Sequence, residues 1–242
     1  MSGGPTLGPA AGTLPEDQVR AMFDRIAGVY DLLNTVMSVG LHHTWRERAV
    51  DIAGVGPGDR VLDVATGTGD LAIALKRRVG PGGDVVGSDF SERMLELARA
   101  KAPDIDFEPG NALDLPYEDG SFDAATVGFG ARNFSDLGRG LAEMARVVRP
   151  GGRVVVLELT TPERPPLSWF FRIWFDRVVP VLGRAAGDSE AYTYLPSSVR
   201  RFPDARGLGA ALAAVGLLDV RWLVTGGGIV AIHSGRVEEP VA

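Results

Sequence analysis

The sequence predicts an α/β protein built on a mostly parallel, seven-stranded sheet covered by helices on both faces. Three observations carry this expectation. Short apolar runs alternate with stretches of helical spacing between residues 59 and 159, as strands buried on both faces require. The first run, VLDVA (61–65), closes in the turn Gly67-Thr68-Gly69, and helical spacing follows at once. The second, GDVVGSD (83–89), ends on Asp89, 20 residues past Gly69.

The elements follow in order. Residues 1–15 are mostly Gly, Pro and Ala and read as a disordered tail before a single domain over 16–242. Pro15-Glu16-Asp17 starts a helix with acid at its positive end, and Val19, Met22, Phe23, Ile26 and Tyr30 recur on one face. A second helix covers about Trp45 to Ile52, so 16–53 forms an N-terminal helical segment. Helices then follow the first two strands at 71–79 and from Ser91, a candidate N-cap, to Lys101. IDFEPGNA (105–112) reads as strand and turn. FDAATVGFG (122–130), a helix over 136–148 and RVVVLEL (153–159) continue the alternation. The rhythm breaks after Pro162, and 162–203 reads as a helical lid inserted above the carboxyl edge of the sheet. A helix at 204–215 and strands at 217–224 and 227–233 close the chain.

Composition excludes several classes. A net charge of −6 opposes broad contact with nucleic acid. With no cysteine and only three histidines, His42, His43 and His233, neither thiolate chemistry nor a histidine-rich metal site is expected. No apolar run is long enough to span a bilayer, and no signal peptide is legible, which points to the cytoplasm.

The strand ends carry the candidate site. Glycines at 67 and 69 let the backbone approach a ligand, and the helix that follows offers unpaired N–H groups. Gly67-x-Gly69-x-x-Ala72 also satisfies the relaxed dinucleotide fingerprint, so a nicotinamide oxidoreductase is one reading. Asp63 separates the two: a carboxylate before the turn suits a cationic amino group, such as the methionine part of S-adenosylmethionine, and repels a pyrophosphate. Asp89 has two oxygens for two ribose hydroxyls, although it also reads as a helix-cap carboxylate before Ser91. Asn111, in Gly110-Asn111-Ala112, places an amide beside an adenine, and small residues at Val127-Gly128-Phe129-Gly130 end the fourth strand.

These residues resemble a known family. MFDRIAGVYDLLNTVMSVGLHHTWR (22–46), VLDVATGTGD (61–70), FGARN (129–133), EMARVVRPGGRVVVLEL (143–159), YTYLPSSVRRFP (192–203) and GGIVAIHSG (227–235) are similar to segments of the menaquinone and ubiquinone biosynthesis C-methyltransferases, nearer the menaquinone branch. The resemblance implies a Rossmann-like class I methyltransferase. Such an enzyme moves a methyl group from S-adenosylmethionine to a ring carbon of a prenylated quinol. By position it implies cofactor contacts at Thr68, Asp89, Asn111 and Ala112, beside Asp63 and Gly67 from the residue reading. Many of these relatives carry Ser at the position of Gly128.

The chemistry needs no metal, because a sulfonium methyl is already activated. The acceptor becomes nucleophilic when its ring hydroxyl loses a proton, and a cation stabilises the oxyanion. Arg132 is the candidate for that role, or else pairs with Asp136 at i+4. Tyr30, Asp31, Asn34, Tyr192 and Tyr194 are further acceptor-side candidates, while His233 reads as a hydrogen-bonded structural residue. The aromatic segment 165–183, with Trp169, Phe170, Ile173, Trp174 and Phe175, packs on the core, lines a channel for the prenyl tail or touches the bilayer. A non-catalytic cofactor-binding protein is the remaining alternative. The oligomeric state is not legible.

Overall fold

The computed structural model describes residues 15–38, 40–162, 165, 167–173 and 189–239. Residues 1–14 of the tail expected at 1–15, and most of the aromatic segment 165–183, including Trp174 and Phe175, lie outside the described residues.

Helix α1 (Glu16–Ser38) opens with Glu16 and Asp17 in its first turn, where acid complements the positive helix end. Helix α2 (Leu41–Ala53) runs about a turn further than expected at its start and stops at Gly54, whose φ of 70° suits a left-handed terminus. Then follow β1 (Arg60–Val64), α3 (Asp70–Val79), β2 (Asp84–Asp89), α4 (Glu92–Lys101) and β3 (Asp106–Pro109). Next come β4 (Phe122–Gly128), a 3₁₀ turn at Ala131–Asn133, α5 (Leu137–Val147) and β5 (Val148–Leu159). Ser91, Asp136 and Asp204 each accept a backbone N–H three residues on, the hydrogen bond that starts a helix. Asp136 therefore caps α5.

Beyond β5 stand α6 (Leu167–Ile173), α7 (Ser189–Arg201) and α8 (Ala205–Ala214), then β6 (Leu218–Thr225) and β7 (Val230–Arg236). One expectation is corrected here. The last strand begins three residues later than the 227 expected, because Gly226, Gly227 and Gly228 take φ of 59°, 70° and 97° in a tight turn. The segment holding Tyr192 and Tyr194 is a helix despite Pro196 within it, which local propensity disfavours.

The seven strands order as β3-β2-β1-β4-β5-β7-β6. Strands β1 to β5 are parallel, while β7 inserts between β5 and β6 antiparallel to both. Alternation along the strands builds two cores. Val61, Val155 and Leu157 face Trp45, Val50, Leu71, Leu75 and Leu95 of α2, α3 and α4. Leu62, Val64, Val154 and Val156 face Leu141, Met144, Leu208 and Leu212 of α5 and α8. The strand order reverses between β1 and β4, which opens a crevice beyond their carboxyl ends.

Candidate active site

The crevice is shaped by backbone that few residues tolerate. After β1, Ala65, Gly67 and Gly69 take φ of 50°, 57° and 82°, and after β4 Phe129 takes 59°. Two non-glycine residues with positive φ face the crevice from adjacent strand ends, where strain is held by the surrounding fold. A Cβ on Gly69 would stand 2.8 Å from Phe107 Cζ, so only glycine lets this turn pack on β3. A Cβ on Gly130 would stand 2.7 Å from Ala65 Cβ, so the two loops touch there.

Between them lies a cavity of about 610 Å³, within the range of ligand sites. Asp63, Gly67, Thr68, Asp89, Asn111 and Ala112 all line it, together with Gly128 and Phe129. At Gly128, where relatives of the resembled family carry Ser, a Cβ would come 3.1 Å from Leu71 Cδ2. Asp63 is 1% exposed; its two oxygens accept from the Thr66 hydroxyl at 2.6 Å and the Thr126 hydroxyl at 2.7 Å. Asp89 accepts from Gly67 N at 2.8 Å and Ser91 N at 2.9 Å, one to each oxygen. Ser91 rather than Asp89 caps α4, since its hydroxyl accepts from Met94 N. Burial pushes both carboxyls up to about 6, against the hydrogen bonds that favour their ionised forms.

Helix α1 forms a wall of this cavity, where the sequence reading puts only its Tyr30, Asp31 and Asn34, on the acceptor side. Glu16, Asp17, Arg20, Phe23 and Tyr30 line it. Three carboxylates on α1 reach four of the strand-end loops. Glu16 accepts from Ser135 at 2.5 Å and Asn111 at 3.3 Å, Asp24 from Ser91 at 2.5 Å, and Asp31 from Thr68 at 2.6 Å. Their spacing of eight and seven residues, about two turns each, was the legible signal that they share a face. Asp31 also pairs with Lys101 at 2.7 Å, so it is bound to the turn and to α4.

Arg132 does not line the cavity, although its neighbours Gly130, Asn133 and Phe134 do. It does not pair with Asp136. Its guanidinium bonds to the Phe129 carbonyl and lies 3.0 Å from Glu158 on β5, whose side chain is 1% exposed. Burial disfavours the Arg132 cation, but the Glu158 charge outweighs it and holds the group firmly protonated. Tyr194 on α7 feels both Arg132 and Arg201, whose guanidinium stands over the tyrosine ring. Arg132 Nε, Asn133 Oδ1 and Arg201 Nε and Nη2 are buried without a hydrogen-bond partner. Tyr30 packs edge-on against Phe23, Asn34 is half-buried on α1, and the Tyr192 side chain lies outside the described residues. His233 is fully buried and bonds the Ala205 carbonyl at 2.7 Å, which ties β7 to α8 as a structural residue would.

The charges of the cavity select its ligand. Glu16, Asp17, Asp63, Asp70 and Asp89 stand against Arg20 and Arg46 alone. A dinucleotide pyrophosphate would be repelled there, while a ligand carrying a sulfonium and an ammonium is attracted. Asp63 lines the cavity, and each of its oxygens accepts one of these hydrogen bonds and has a second lone pair left. The donor set therefore fits S-adenosylmethionine.

Fold and site together define a class I, Rossmann-like, S-adenosylmethionine-dependent methyltransferase. An S-adenosylmethionine-dependent methyltransferase from Thermotoga maritima shares the fold, with a TM-score of 0.65 at 20% identity over 90% of this chain and 99% of that one. The sequence matches the ubiE/COQ5 methyltransferase family over residues 12–237, and the chain belongs to that family. It is 48% identical to a demethylmenaquinone methyltransferase of Thermus thermophilus over 88% of this chain and 99% of the relative. It is 50% identical to another of that name from Deinococcus radiodurans, over 82% and 84%. The oxidoreductase reading falls with this membership.

Proposed function

We propose that this chain methylates a ring carbon of demethylmenaquinol, giving menaquinol. The observation that carries the proposal is its similarity, along most of its length, to relatives named for that reaction. When bound, S-adenosylmethionine supplies a methyl group already activated on a sulfonium. Asp63 holds its ammonium, Asp89 its ribose hydroxyls, Asn111 and Ala112 its adenine, and Gly67 and Thr68 close the turn around it. The protein's remaining task is to make the acceptor nucleophilic. Arg132 stays protonated and is no base; its Nε, like Nε and Nη2 of Arg201, is a buried donor without a hydrogen-bond partner, which suits a phenolate oxygen. The prenyl tail lies toward α6, where Trp169 is 66% exposed, and this region touches the cytoplasmic face of a bilayer. No helix among the described residues is long and apolar enough to cross one.

The reaction is tested with methyl-labelled S-adenosylmethionine and reduced demethylmenaquinone in vesicles, with a demethoxylated ubiquinol precursor in parallel. Label in menaquinone and protein sedimenting with the vesicles are expected. Label in the ubiquinol product alone would move the enzyme to the other pathway, and label in neither would remove the quinol assignment.

Cofactor affinity should depend on pH. The free protein holds Asp63 and Asp89 protonated up to about pH 6. A cationic ligand needs them ionised, so protons must leave on binding at lower pH. Affinity should be flat from pH 7 to 8 and fall below 6 by about tenfold per pH unit for each carboxylate that must ionise. Linkage has the opposite sign for the unliganded fold: these two groups cost it stability as pH rises from the ordinary 3.8 to about 6. Calorimetry across pH 5 to 8 reads the first effect; an affinity unchanged at pH 5 would mean that neither carboxylate meets the ligand's charge.

A further inference from the structure

We infer that Arg46 receives the carboxylate of the cofactor's methionine moiety, and that His42 and Asp70 are its positioning residues. The inference rests on S-adenosylmethionine as cofactor. That ligand is zwitterionic at its methionine end, so Asp63 answers only half of it and a cation must answer the other half.

Two of the residues lining the cavity are cationic, Arg20 and Arg46. Arg20 is exposed on α1, about three turns ahead of the residues that touch the glycine turn. Arg46 is on α2, with a side chain only 9% exposed, yet it reaches the cavity wall. A guanidinium is not taken out of water without partners. Its Nη1 lies 3.3 Å from Asp70 at the start of α3 and contacts His42 Nδ1, and its carbon stands 5.9 Å from the Phe129 ring centroid. The ion pair and the hydrogen bond both run through Nη1, while guanidinium carries five donors in a planar fork. The rest of the fork suits a carboxylate, which takes two parallel bonds from it.

The position agrees with this role. Asp70 follows the glycine turn, Phe129 follows β4, and Arg46 acts electrostatically on Asp63 at the end of β1. Asp89 and Asn111 end the neighbouring strands and meet the nucleoside. Arg46 and Asp63 thus stand at the same end of the cavity, one for each charge of an α-amino acid. Asp70 does not neutralise Arg46 alone, since it also binds Lys101 at 2.8 Å.

His42 makes the arrangement work. It is 2% exposed, and burial together with the Arg46 charge lowers its pKa to about 4. The neutral ring accepts from Arg46 at Nδ1 and turns Nε2–H to the Thr35 hydroxyl at 3.2 Å. A charged imidazole would instead repel the guanidinium it orients.

The test compares S-adenosylmethionine with its decarboxylated analogue by titration calorimetry, on wild type, Arg46→Gln, Arg46→Lys and Arg48→Gln. Arg48 is exposed on the same helix and serves as the charge control. Wild type and Arg48→Gln should prefer the carboxylate-bearing ligand by roughly a hundredfold. In Arg46→Gln the preference should collapse to within about threefold, because S-adenosylmethionine weakens while the analogue does not. Arg46→Lys should keep part of it, as a point charge without the fork. Equal weakening of both ligands would overturn the assignment in favour of a structural arginine, and so would a wild type without preference, which needs no variant to fold. A folded wild type that binds neither ligand would overturn the cofactor reading and this assignment together.

Discussion

Glu158→Leu should destabilise the protein by about 3–5 kcal/mol, because it leaves a buried cation without its counter-charge. Glu158 accepts from Arg132 Nη1 at 3.0 Å, Arg132 N at 3.2 Å and Leu159 N at 2.8 Å. Arg132 cannot escape by losing a proton, nor reach water from a side chain only 8% exposed. At about 2–4 °C per kcal/mol for a chain of this size, the melting temperature should fall by roughly 6–20 °C. The double variant Arg132→Met, Glu158→Leu should recover most of that loss, since an apolar pair of similar volume commonly matches a buried ion pair. It should not recover methyl transfer if Arg132 holds the acceptor oxyanion. Chemical denaturation of the three proteins, with the labelled-methyl assay on the double variant, separates the two roles. Full turnover in a stable double variant would make Arg132 purely structural.

Asp89→Ala should weaken S-adenosylmethionine by a hundredfold or more, since two hydrogen bonds to a charged group contribute about 3 kcal/mol or more together. The carboxylate also ties Gly67 N to Ser91 N, joining the glycine turn after β1 to the head of α4. Its removal leaves both donors to find water and loosens the turn. A second measurement distinguishes binding from folding. If Asp89 were only a local brace, the melting temperature would fall while the affinity of the folded protein stayed within about threefold of wild type. The expected result is a large loss of affinity in the folded protein with little change in melting temperature, because the lost bonds to Gly67 N and Ser91 N are offset by relief of the cost of burying ionised Asp89.

What could be read from the chain was local. The period of apolar residues placed the strands and the helices around the sheet, since a pleat of period two and a helix of 3.6 are properties of neighbours in sequence. Glycines at 67 and 69 and acids at 63 and 89 marked the strand ends that line the cavity, because positive φ and charge beside an apolar run are visible residue by residue. The cap at Ser91 belongs to the same kind of signal.

The tertiary structure decided what depends on distant partners. Asp136 stood four residues from Arg132 and was the local choice of partner, yet Glu158, 26 residues away, took the arginine, because β4 and β5 are adjacent and both groups are buried there. The eight- and seven-residue spacing of Glu16, Asp24 and Asp31 implied a shared face on α1, but not what that face would meet; Asn111, Ser91 and Thr68 come to it from three separate loops. No local rule puts β7 between β5 and β6 or brings α2 close enough for Arg46 to enter the wall. By itself, the sequence determined the layers, the turn and the acids Asp63 and Asp89 that line the cavity. The wall of α1, the Arg132–Glu158 pair and the place of Arg46 came only with packing, since burial and charge compensation act between surfaces that the chain order does not join.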